Sequence, residues 1–235
     1  MCMRTLEQTC DHLRSQSDKT TTHSYGAIYD KLFASHRGKF SRILEIGSGA
    51  NDSVQLWHDY FSGSQVDLLD KFAHPNLETY AKCSVGITLH TGQHHYELRA
   101  TRWLEPYDII IDDGNHALES QLFVITHMLA KVKPGGMLVI EDIQDPNHLD
   151  VLRAAVPEYL QHHCEVYDVR HVKDRYDDIL LVIHVPQAPP SPARPRTLLF
   201  CTAWADSQQT WNHRYNSSAC YHSNQLLHWD QMLIV

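Results

Sequence analysis

Residues 108–142 read DIIIDDGNHALESQLFVITHMLAKVKPGGMLVIED. The stretch opens on a β-branched run that ends in two acids. Leu118, Leu122, Ile125, Leu129 and Val132 then repeat at three or four residues, which predicts a helix over Ala117–Val132. A second apolar run, again closed by acids, follows at Met137–Glu141. Strand, helix, strand in this order is the unit of a parallel sheet covered by helices.

The same alternation extends in both directions. It places strands at Arg42–Ile46, Gln65–Leu69, Gly86–His90, Asp108–Asp112, Met137–Glu141, Glu165–Val169 and Ile179–Val185, with another helix over Leu149–His162. Only the polar stretch Arg170–Asp178 separates the last two strands, too short for a crossover helix, so these two form an antiparallel hairpin. The expected fold class is α/β: a seven-stranded, mostly parallel sheet whose last strand is antiparallel.

The organisation expected along the chain is a helical segment over residues 1–40, a core over 41–186, a Pro-rich linker over 187–196 and a tail or start of a second domain over 197–235. Pro189, Pro190, Pro192 and Pro195 define the linker, since proline joins neither ladders nor helix interiors. The tail carries Trp204, Trp211 and Trp229 and ends on the apolar run 232–235. A piece this short rarely folds alone, so it is expected to pack on the core or on a second copy.

Composition narrows the function classes. The chain has 235 residues, 43% apolar and 20% charged, and so has the means to bury a core. With 20 Lys and Arg against 28 Asp and Glu the net charge is −8, which argues against a nucleic-acid partner or an anionic membrane surface. The first 22 residues hold no apolar run of the kind a signal peptide needs. No apolar run approaches the length that spans a bilayer. Six cysteines without a C-x-x-C pair read as free thiols, which suits a cytoplasmic location.

Two sets of residues point to chemistry. Glu45, Gly47, Ser48 and Gly49 close the first strand with a glycine turn that lets a ligand approach backbone, and Asp70 closes the second, where a carboxylate can accept from two ribose hydroxyls. No third glycine or phosphate-loop lysine follows, so a nucleoside ligand fits better than a dinucleotide or a triphosphate. Farther along, Asp113 follows the fourth strand, and Glu141 and Asp142 follow the fifth. These three carboxylates can meet around one hard cation, with His116 placed as a base beside it.

At this point the chain resembles the class I S-adenosylmethionine-dependent methyltransferases, whose Rossmann-like sheet, with helices on both faces, ends in an antiparallel strand. The resemblance rests on residues 17–143. It includes Ser17-Asp18-Lys19 with His23, Tyr25 and Tyr29; L-E-I-G at 44–47; S-V-Q-L-W at 53–57; D-D-G-N-H at 112–116; K-P-G-G at 133–136; and I-E-D at 140–142. In this combination the chain is similar to metal-dependent O-methyltransferases of macrolide sugars. The resemblance implies that Asp113, Glu141 and Asp142 bind Mg2+, that His116 is the catalytic base, and that Glu45, Gly47, Ser48, Gly49, Asp70, Gln93 and Asp112 line the cofactor site. It also offers Lys19, His23 and Tyr25 as cofactor or acceptor contacts. Asn51 and Asp52 depart from the family's glycine in the first loop, and Thr91-Gly92-Gln93 stands where the family has G-D-Q.

The implied activity is methylation of a sugar hydroxyl on a glycan or glycoside. Phenolic or catechol-like acceptors are the alternative, and a non-catalytic interaction module built on the same fold is the second. Residues 197–204, T-L-L-F-C-T-A-W, loosely resemble the opening strand of a glycosyltransferase domain, which would suit a glycan-assembly enzyme.

Overall fold

The computed structural model describes residues 3–15, 17–47, 52–72, 75–91, 96–102 and 104–187. Ser48, Gly49 and Gln93 lie outside the described residues, as do the tail and the linker from residue 188 on. The strands are β1 (Arg42–Ile46), β2 (Gln65–Leu69), β3 (Ile87–His90), β4 (Tyr107–Asp112), β5 (Val132–Ile140), β6 (Cys164–Asp168) and β7 (Ile179–His184). They form one sheet in the order β3-β2-β1-β4-β5-β7-β6. β1 to β5 pair in parallel, and β7 runs antiparallel to both β5 and β6.

The helices are α1 (Leu6–Leu13), α2 (Asp18–Thr21), α3 (Gly26–Phe33), α4 (Asp52–Tyr60), α5 (Pro75–Cys83), α6 (Leu98–Thr101), α7 (Leu118–Met128), α8 (His148–Ala155), α9 (Glu158–Gln161) and α10 (Arg170–Lys173). Residues alternate across the strands, so each strand feeds two cores. On one face Ile43, Val66, Ile109, Ile111, Val139 and Val182 pack under Leu6, Tyr29, Phe33, Trp57 and Phe61. On the other, Leu44, Ile110, Leu138 and Leu181 pack under Val124, Ile125, Met128 and Leu152.

Several strand ends are shifted by one residue, and the helix expected over Ala117–Val132 stops at Met128, with a tighter 3-10 turn over Leu129–Lys131 and Val132 already in β5. Two further elements differ more. The helix expected over Leu149–His162 is broken: Val156 is extended, with φ −72° and ψ 132°, because Pro157 bars it from helical geometry, and α9 starts afresh beyond. β5 begins five residues before the expected Met137. Gly135 N donates to Val185 O at 2.7 Å and Val185 N to Gly136 O at 2.9 Å, so the two glycines continue the ladder. A register shift between Tyr107 and Ile109 absorbs the irregularity.

Strand order reverses between β1 and β4, with β2 and β3 to one side and β5 to the other. In open α/β sheets a ligand crevice opens at such a point, beyond the carboxyl ends of the strands. Gly47, Asp112 and Asp113 stand there. Among the described residues, no helix is long and apolar enough to cross a membrane.

Candidate active site

The loops after β1 and β4 touch directly. Gly47 has φ +84°, and a Cβ placed on it would lie 2.2 Å from the carbonyl oxygen of Asp113. Only glycine combines that backbone with that approach. Asp113 N donates to Ile46 O at 2.9 Å, and Glu141 N donates to Asp112 O at 3.0 Å, so three strand ends are laced together at one rim.

His116 and Asp142 leave their strands through left-handed turns, with φ of 57° and 51°. Non-glycine residues seldom adopt this conformation, and it redirects the side chain that follows a strand. His116 Nε2 stands 3.7 Å from Asp142 Oδ2. The ligating atoms of Asp113, His116 and Asp142 lie within 4.8 Å of one another. Burial raises the Asp142 carboxyl above its usual range, the charge of Asp113 adds to this, and His23, Tyr25 and His116 oppose it. Two carboxylates so close in a half-closed site are complementary to a hard divalent cation.

Glu141, the third carboxylate expected around a cation, is turned elsewhere. It is buried, Tyr29 OH donates to its Oε1, and Lys19 Nζ lies 3.0 Å from its Oε2. Lys19 is fully buried, 2.6 Å from Asp113 Oδ2 and 3.4 Å from Glu45 Oε1. Burial pulls its ammonium down, but Asp113, Glu141 and Glu45 outweigh that and hold it firmly charged. Burial and the charges of Asp113 and Asp142 raise the Glu141 carboxyl well above normal despite Lys19 and Tyr29.

Glu45 also points inward. It accepts from Ser53 Oγ at 2.7 Å and from Trp57 Nε1 at 2.9 Å. Burial pushes it up to about 7 against the pull of Lys19. At the cofactor end, Asp70 Oδ1 accepts from Phe72 N at 3.0 Å. Asp112 is buried and pushed up to about 7 by burial; its Oδ1 accepts from Tyr96 OH at 3.0 Å, while its Oδ2 has no hydrogen-bond partner among the described residues. An orphaned carboxylate oxygen beside the glycine crevice fits a ligand that brings an ammonium group.

His23 and Tyr25 are buried against Asp142. Tyr25 OH donates to Asp142 Oδ1 at 2.5 Å, and His23 Nδ1 lies 2.5 Å from Asp178 Oδ1. Sequence reasoning missed Asp177 and Asp178. The signal was an acidic pair at the start of an otherwise apolar strand, where solvent would be the ordinary destination and burial is not.

Residues 36–143 match the family described as a methyltransferase domain. Over these residues the chain is similar to that family. It is 32% identical over 145 residues to the 8-demethyl-8-alpha-L-rhamnosyl tetracenomycin-C 2'-O-methyltransferase of Streptomyces olivaceus, covering 56% of this chain and 36% of that protein. It is 30% identical over 133 residues to the mycinamicin VI 2''-O-methyltransferase of Micromonospora griseorubida, covering 52% of this chain and 32% of that one. The chain thus spans about a third of the length of these curated relatives. Among solved structures it shares its fold with the MycE methyltransferase of the mycinamycin biosynthetic pathway, solved in complex with Mg, SAH and mycinamycin VI. The TM-score is 0.62 at 20% identity, over 81% of this chain and 57% of that one. Lys19, His23, Asp177 and Asp178 lie outside the residues matched to that family, although the side chains of Lys19 and His23 meet Asp113 and Asp142 within them.

Proposed function

We propose that the chain is the catalytic part of an S-adenosylmethionine- and Mg2+-dependent O-methyltransferase acting on a sugar hydroxyl of a glycan or glycoside. The observation that carries this reading is the convergence of Asp113, His116 and Asp142 at the rim where the strand order reverses between β1 and β4. The curated relatives, named for methylation of sugar positions on tetracenomycin and mycinamicin, support the sugar acceptor.

When bound, S-adenosylmethionine supplies an electrophilic methyl group and Mg2+ supplies positive charge that favours an ionised hydroxyl. The chain's own part is to hold and deprotonate. Asp112 would hold the ammonium of the methionine moiety and Asp70 the ribose. The Gly47 turn keeps that crevice open to backbone contact. Asp113 and Asp142 would hold the cation, and His116 would take the proton of the acceptor hydroxyl at Nε2, with Asp142 close enough to stabilise the imidazolium. Glu141 joins the cation only by releasing Lys19, so in the arrangement described it braces Asp113 through that ammonium.

Calorimetric titration of the chain with S-adenosylhomocysteine in Mg2+ tests the cofactor, followed by methyl transfer to a panel of deoxysugar glycosides and catechols. Saturable binding with transfer to the glycosides is expected. His116→Ala should bind S-adenosylhomocysteine normally and lose about 10²–10⁴ in turnover. Transfer confined to catechols, or unchanged turnover in His116→Ala, would overturn the reading.

A further inference from the structure

The two oxygens of Asp142 face different neighbours. Oδ2 is turned toward His116. Oδ1 accepts from Tyr25 OH at 2.5 Å and has His23 Nδ1 3.4 Å away. His23 is itself fixed on three sides. Its Nδ1 pairs with Asp178 Oδ1 at 2.5 Å, its ring stacks on Tyr25 with centroids 5.0 Å apart and planes at 15°, and its carbonyl accepts from Lys173 Nζ at 2.8 Å. Asp178 is fully buried, and among the described residues His23 is the side-chain partner of its Oδ1, while its Oδ2 has none.

This assembly comes from chain segments far apart: the turn between α2 and α3, and the start of β7. Both lie outside the matched methyltransferase residues. A carboxylate at the end of a strand rotates about a broad, two-fold torsion, and a left-handed backbone does not select one orientation. The hydrogen bond from Tyr25 OH selects one, and His23, stacked on Tyr25 and 3.4 Å from the same oxygen, backs it.

We propose that His23, anchored by Asp178 and stacked on Tyr25, is a positioning residue that pins Asp142 Oδ1 and thereby presents Oδ2 to a divalent cation beside Asp113 and His116. The inference rests on the reading that Asp113 and Asp142 hold such a cation. Outer hydrogen-bond partners of metal-binding carboxylates fix ligand geometry, and losing one typically costs about 10–100-fold in metal affinity. His23, Asp177 and Asp178 also have ligating atoms within 4.8 Å of one another. Nδ1 of His23 is already paired with Asp178, and Oδ2 of Asp177 accepts from Arg175 Nη2 at 2.9 Å, while Oδ1 of Asp177 and Oδ2 of Asp178 have no hydrogen-bond partner among the described residues. The ion stoichiometry measured below separates one ion site from two.

The test is Mn2+ titration of the full chain, followed by the paramagnetic resonance of free Mn2+, with S-adenosylhomocysteine affinity and the thermal midpoint without metal measured alongside. The wild type is expected to bind one ion. His23→Ala and Asp178→Asn should weaken Mn2+ about 10–100-fold while leaving S-adenosylhomocysteine affinity unchanged. His23→Asn, which keeps a donor near the Nδ1 position, should recover most of the loss, and it serves with Asp178→Asn if the alanine variant does not fold. Equal Mn2+ affinity in wild type and variants would overturn the proposal, as would a parallel loss of S-adenosylhomocysteine. Two ions in the wild type with one lost in Asp178→Asn would show a second site instead. A wild type that binds no Mn2+ would remove the cation reading itself, and this inference with it.

Discussion

His116 and Asp142 sit at the ends of neighbouring strands, both in left-handed backbone, with His116 Nε2 3.7 Å from Asp142 Oδ2. Left-handed backbone costs a residue with a Cβ about 1–2 kcal/mol, and glycine is spared that cost. His116→Gly should therefore be more stable than His116→Ala by about 1 kcal/mol, although both lack the imidazole. Urea denaturation of the two variants measures the gap, and methyl transfer should be equally lost in both. Equal stability would mean that the turn relaxes freely and stores no strain.

Lys19 Nζ is enclosed by Asp113, Glu141 and Glu45, at 2.6, 3.0 and 3.4 Å. Removing one partner of a buried ion cluster leaves the other charges uncompensated, at a cost of about 3–5 kcal/mol. Lys19→Met should lose stability on that scale at pH 7. Mg2+ or Mn2+ should raise its thermal midpoint more than that of the wild type, because a cation replaces the missing charge. A midpoint unmoved by metal would argue that the ammonium and the cation occupy unrelated places.

Much of the scaffold was legible in the sequence, and the side-chain pairing was not. β1 and β2 begin and end where their apolar runs do, because half-buried parallel strands are read directly from β-branched residues. The antiparallel β7 followed from a loop too short for a crossover. Pro157 was visible, but periodicity carried the expected helix through it. The resemblance offers Lys19 only as a cofactor or acceptor contact. Its partners Asp113 and Glu141 are 94 and 122 residues away, so no local pattern announces its burial. The pairing of His23 with Asp178 spans 155 residues and was invisible for the same reason.

At the opposite rim of the sheet, Asp67 gives a pH signature independent of the active site. Burial raises its carboxyl, but the His90 ring 4.0 Å away and hydrogen bonds from Tyr107, Gln65 and Arg42 outweigh burial and hold it down to about 2. A depressed carboxyl stabilises the fold above its unfolded value near 3.8, and that contribution is lost as pH falls toward 2. Asp67→Asn should cost on the order of 2 kcal/mol at pH 7, and the difference from wild type should shrink steadily between pH 4 and pH 2. Urea denaturation at pH 7, 4 and 3 checks this. A difference that stays constant across that range would place the cost in packing rather than in ionisation.

Gly47 joins the two halves of the proposed site, so its substitution should damage both together. A Cβ there would lie 2.2 Å from Asp113 O and 2.7 Å from Gly114 Cα, contacts with backbone that no rotamer change relieves. The loop after β1 must withdraw from the loop after β4, or Asp113 must move. The first outcome distorts the crevice beside Asp112, and the second shifts a cation ligand. Left-handed backbone at φ +84° adds about 1–2 kcal/mol of strain. Gly47→Ala should therefore fold with a lowered thermal midpoint and weaken S-adenosylhomocysteine and Mn2+ by at least about 10-fold each, since about 1.4 kcal/mol of misfit suffices for that. By contrast, Gly63→Ala, where φ is +83° but nothing among the described residues lies within 4 Å, should show the backbone strain alone and bind both ligands as the wild type does. Were Gly47→Ala to lose one ligand and keep the other, the two loops would be adjustable independently, and the cofactor crevice and the cation site would not share this contact.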